Sequence, residues 1–266
     1  MGRVFVFISL VVIPSVVAQA PRPQTEQLPS QVKTMKGTLV PVPEEIFHLL
    51  DKFSGAYWHL VQRPEIVRWK AQGDQVHIAL LLGVVVAEGF IAMEAKDSAE
   101  VKDVGHAVLT LARGLGVGRL ALRRTRSIME YAEQNKWTAA RREWDGVLSD
   151  LEKGMIELQS ERIARLVSLG GWLRGMEALC ALVIQDYSPE RAELIRQTAV
   201  MDYLEKQLVE VRRAIGSRST VAKMLKGMRR IRRLIQGEKA PITEKTVRKI
   251  SSICEDLVSI SSRHPD

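Results

Sequence analysis

At three places in this chain an acid stands three residues before a histidine: Glu45/His48, Asp74/His77 and Asp103/His106. Residues i and i+3 share a helix face, so each pair can present a carboxylate beside an imidazole. Carboxylate-bridged two-metal bundles take such pairs from two helices and single glutamates from two more, and Glu88 suits the latter role. Metal binding, or a metal-dependent reaction, is therefore one functional class these residue types allow. The same residues also serve a plainer purpose. Glu45 and Asp74 fall in the first turns of expected helices, where acids cap the chain and complement the dipole. Two of the three pairs carry Asp where the bundle motif carries Glu, so no ligand set and no cofactor is assigned.

Glu88 stands alone in Ile78–Met93, where every other position is apolar or glycine. A helix apolar on all sides is a central one, and about 16 residues is short for a membrane span. A carboxylate there must be paired or protonated. The expected partner is an arginine, Arg113 for example, with ligand binding or catalysis as the competing role. His77 lies eleven residues earlier on the same face, three turns away, so each needs partners from other helices.

Other catalytic signatures are absent. The chain has no Gly-x-Ser-x-Gly elbow, no His-Glu-x-x-His, no phosphate-binding Gly-Lys-Ser/Thr loop and no Cys-x-x-Cys. Gly114, Gly116 and Gly118 follow a helix rather than a strand, which makes them an interhelical turn instead of a dinucleotide cradle. Trp172, beside Gly170 and Gly171, reads as a core anchor.

The strongest electrostatic feature is Arg212–Arg233, with nine basic residues and no acid. Lys223, Lys226, Arg229, Arg230, Arg232 and Arg233 accompany an apolar stripe of Val221, Met224, Leu225, Met228, Ile231 and Ile235. This is a basic amphipathic helix. It can lie on an anionic surface or an acidic partner, or pack its stripe in the core and leave the basic face in water.

The first residues read as an export signal: Arg3, the apolar run Val4–Val17, then small residues. Pro21 disfavours cleavage after Ala20, which places the cut after Ala18. Residues 19–42 are rich in proline and lack a sustained period, so an extended or disordered leader is expected. Of the 266 residues, 46% are hydrophobic and 26% charged, which is ordinary for a globular body. The net charge of +8 falls to +7 without Arg3. Export and an aromatic content of 5% argue against nucleic acid, which proteins grip with stacking platforms. Anionic membrane surfaces, envelope polymers or acidic proteins are the expected partners. The only asparagine, Asn135, lies outside any glycosylation sequon, which favours a periplasmic or secreted bacterial protein. With two cysteines, disulfide density cannot carry stability; Cys180 reads as a small buried hydrophobe, and a bond to Cys254 is chemically allowed.

From Pro43 onward the apolar spacing is helical nearly throughout. Helices are expected over 44–61, 64–69, 74–96, a segment from 98 to 112, 119–134, 138–152, one or two within 155–185, then 189–214, 219–236 and 243–261. Tyr131, Trp137, Ala140 and Trp144 resemble the aromatic and small-residue spacing of one tetratricopeptide repeat. The likeness departs at Ser127, Ile128 and Glu152, and no second copy follows, so an ordinary helical hairpin is expected. The reading is an all-α, irregular bundle of eight to ten helices: a main domain over 43–188 and C-terminal helices over 189–266 in the same domain. Its expected role is that of a non-enzymatic envelope binding or scaffold protein, with the metal-dependent class and a helical-repeat-like adaptor as alternatives.

Overall fold

The computed structural model describes residues 34–35, 38–39, 44–53, 55–69, 74–215, 219–237 and 241–261. The expected signal segment, and all of the leader but two short stretches, lie outside them. The chain divides into two units, Met1–Val40 and Pro41–Asp266. In the first, β1 (Thr34–Met35) pairs antiparallel with β2 (Thr38–Leu39), Thr34 opposite Leu39 and Met35 opposite Thr38. These two stretches are the part of the expected extended or disordered leader that lies within the described residues.

The second unit is all-α. Its described helices are α1 (Glu44–Leu50), α2 (Gln75–Glu94), α3 (Ser98–Gly114), α4 (Gly118–Glu133), α5 (Trp137–Glu157), α6 (Glu161–Gln185), α7 (Pro189–Glu193), α8 (Thr198–Ile215), α9 (Ser219–Gly237) and α10 (Glu244–Ile260). Start signals behave as capping chemistry requires. Asp74 accepts from the Val76 and His77 amides, Asp97 from Glu100, and Ser188 from Arg191 ahead of Pro189.

One turn geometry recurs four times between α2 and α6. After each helix the backbone closes with a six-to-one bond, Asp97 to Ala92, Val117 to Ala112, Lys136 to Tyr131 and Ser160 to Met155. A five-to-two bond lies inside each, from Lys96, Gly116, Asn135 and Gln159. All four of these residues sit in the left-handed region, with φ of 56°, 82°, 55° and 55°. The motif satisfies carbonyls that a helix end leaves open, and it favours glycine. Only Gly116 meets that preference.

The core forms around α2 and α6. Both are long and apolar enough to cross a membrane, and here 94% and 89% of their apolar windows are buried by the rest of the fold. They make the most extensive helix–helix contact in the chain. Gly83 lies against the Val167 carbonyl and the Gly171 amide, and Gly170 against the Leu80 carbonyl, so a Cβ at either glycine would overlap backbone. Gly170-Gly171 is therefore a close-approach point rather than a helix break, and α6 runs through it. Trp144 of α5 covers Gly89 and leaves no room for a side chain there.

The 44–61 helix is shorter than its apolar spacing predicts. α1 stops at Leu50 and 3-10 turns follow at Asp51–Phe53 and Trp58–Leu60. Gly55, at φ 84°, breaks the helical phase. Trp58 is consequently buried, while Tyr57 and Leu60 are about three-quarters exposed. The segment starting at Pro64 is likewise reduced to a 3-10 turn at Ile66–Arg68.

Candidate functional site

Glu88 is wholly buried, as its apolar helix requires. Its partner is Arg174 of α6, itself 1% exposed, and not Arg113, which is exposed at the end of α3. Arg174 donates to Glu88 Oε2 from Nε at 2.8 Å and lies 2.7 Å away through Nη2. The other oxygen, Oε1, accepts the Arg63 amide at 2.7 Å. Arg174 also donates to the Val61 carbonyl. Arg63 reaches Glu177 Oε1 at 2.8 Å and Glu65 at 2.8 Å, and its guanidinium stands over Trp69. Charges alternate through Glu88, Arg174, Glu177, Arg63 and Glu65. Backbone groups of Val61 and Arg63 complete the set, and Gln62 adds a bond to Asp97. The network straps residues 61–65 onto the α2–α6 pair, and its arginines hold Glu88, Glu177 and Glu65 by ion pairs.

Glu100 lies apart from that pattern. It is 7% exposed, and Oε1 has no hydrogen-bond partner among the described residues. Burial, reinforced by Glu88, Asp97 and Asp103, pushes its carboxyl up to about 7, with Arg68 the opposing influence. It is a proton-holding group near neutrality. Nothing local in the sequence marks Glu100 as buried.

The acid–histidine pairs do not converge. His77 contacts Asp74 through Nδ1 at 3.2 Å and Thr220 through Nε2 at 3.0 Å, tying α2 to α9. His48 is exposed near Asp51 at 3.7 Å, and burial raises the pKa of half-buried Glu45 against the pull of His48. Asp103 and His106 are exposed on α3. Among the described residues no three His, Cys, Asp or Glu side chains gather where a metal ion could be held. Cys180 and Cys254 are free and buried. Burial pushes both thiols up, with Glu177 adding to each and Cys180 adding to Cys254. Such thiols are poor nucleophiles.

The basic helix divides by face. The whole stripe from Val221 to Ile235 is buried against the fold. Arg229 pairs with Glu205 of α8 at 2.7 Å, and Arg232 with Glu205 and Asp202, so these two fasten α9 to α8. Lys223, Lys226, Arg230 and Arg233 are exposed and have no carboxylate partner among the described residues. Beside Arg230, α10 adds Lys245, Arg248 and Lys249 along a surface groove. The sequence shows these α10 cations, but only the packing of α9 on α10 places them with Arg230. No protein-family model, curated protein or solved structure matches this chain.

Proposed function

We propose that this is an exported, soluble, non-enzymatic binding or scaffold protein whose C-terminal basic face docks on an anionic envelope surface. The observation that carries the reading is the division of α9. Its apolar stripe is consumed by the core, yet four of its cations stay exposed and unneutralised among the described residues. A helix packed in that way cannot insert, so attraction is electrostatic and screened over a Debye length of ~8 Å at physiological salt. Export follows from Arg3, the Val4–Val17 run and Ala18. The charge network spends the buried acids Glu88 and Glu177 on closing the fold.

Co-sedimentation with anionic and neutral vesicles across a salt series tests this. The protein should bind anionic vesicles at low salt and release fully at high salt. Replacing Lys223, Lys226, Arg230 and Arg233 with Gln should remove most of the binding, since each such charge contributes about 1 kcal/mol near the surface. Equal binding by wild type and variant, or none by either at low salt, would end the proposal. Residual binding at high salt would show that an apolar segment inserts instead.

A further inference from the structure

We infer that the groove between α9 and α10 is a seat for the phosphate of an anionic phospholipid headgroup. The inference rests on the surface-docking reading above and names the group recognised within that face. The groove encloses roughly 560 Å³ and is lined by Arg230 of α9 together with Glu244, Lys245, Arg248, Lys249, Ser252, Ile253 and Asp256. Lys245, Arg248, Lys249 and Ser252 follow helical three- and four-residue spacing, so α10 turns one face toward Arg230.

The charge state of the lining selects the ligand. Glu244 is taken by Arg248 at 2.6 and 3.0 Å, which cancels that pair. Arg230, Lys245 and Lys249 keep three positive charges with no carboxylate partner among the described residues, and Asp256 supplies one negative charge. Three cationic donors from two helices, with the Ser252 hydroxyl beside them, suit the several acceptor oxygens of a phosphate. The groove is open to solvent, whereas sites for free metabolites bury most of the ligand. An open basic groove on a basic face suits a phosphate presented from a surface.

The test uses the full exported chain and two variants that remove equal charge from exposed positions. One replaces Arg230, Lys245 and Lys249 with Gln. The other replaces Lys223, Lys226 and Arg233 with Gln. Binding is measured to phosphatidylglycerol vesicles and to vesicles matched in surface charge by a carboxylate amphiphile. Wild type should prefer phosphatidylglycerol at least tenfold. The groove variant should lose that preference and bind phosphatidylglycerol at least tenfold less than the charge-matched control variant does. Equal losses in the two variants, without headgroup preference, would overturn the groove and leave the docking face standing. No loss in either variant would overturn both. Titration of free glycerol phosphate is the remaining arm: binding as tight as to vesicles would overturn the lipid source. The headgroup preference of wild type requires no variant to fold.

Discussion

Replacing Glu88 with Ala strikes a fully buried ion pair between the two central helices. Glu88 is fully buried and accepts from Arg174 Nε and the Arg63 amide, with Arg174 Nη2 a further ion-pair contact at 2.7 Å. Removing one partner of a buried ion pair costs about 3–5 kcal/mol, because the other charge is left without compensation. Here Arg174 keeps the Val61 carbonyl and a longer contact to Glu177 at 3.6 Å, which softens the loss, while the Arg63 amide loses its acceptor. We expect about 4 kcal/mol, a large share of the stability of an ordinary domain. Glu88→Gln keeps the volume and one carbonyl acceptor and should cost roughly half as much. Glu88→Lys places two cations together and should be at least as damaging as Ala. Glu88→Leu with Arg174→Met removes both charges and should recover much of the single-variant loss. Urea unfolding with a constant slope reads all four, and the Gln and double variants remain informative if Ala does not fold. A loss from Ala or Lys no larger than that from Gln would refute the buried-pair reasoning.

The repeated turns predict that Gln159→Gly and Lys96→Gly each stabilise the fold by about 0.5–1 kcal/mol, since both residues hold positive φ. Gly116→Ala should cost about 1 kcal/mol in the same assay, and a loss from either glycine substitution would contradict the turn assignment. Glu100 has a carboxyl pKa raised to about 7, so the folded state holds its proton more tightly than the unfolded chain. Its contribution to stability is present below the ordinary carboxyl value and is lost as pH rises toward 7. Glu100→Gln should flatten that slope in urea midpoints measured from pH 4.5 to 8, and an unchanged slope would reassign it. N-terminal sequencing of exported protein should begin at Gln19; an intact Met1 in a membrane fraction would contradict cleavage.

The features legible in the sequence are those fixed by short-range periodicity. The all-round apolar character of Ile78–Met93 makes α2 central and Glu88 buried, and the stripe from Val221 to Ile235 fixes which side of α9 faces inward. What covers those faces is set by residues far along the chain. Arg174 lies 86 positions from Glu88, and no spacing rule spans that distance. The 44–61 stripe misled because Gly55 resets the phase, so the same residue types that suggest one helix give a short helix and two tight turns. The acid–histidine pairs share faces locally, but the helices direct those faces to different neighbours, and local pairing does not make a ligand set.

The two charge systems of the fold differ in a way that bears on function. Inside, the acids Glu88 and Glu177 are held by Arg174 and Arg63 under a strap of backbone, which spends their charge on closure. Outside, α9 and α10 leave cations exposed although acids such as Glu205 and Asp202 lie within reach of Arg229 and Arg232. Unneutralised like charges on one surface repel, and that repulsion disfavours the compact state. The neighbouring pairs show that acids can be supplied on this surface where packing of α8 requires them. Under the docking proposed above, an anionic surface would relieve the repulsion at Lys223, Lys226, Arg230 and Arg233.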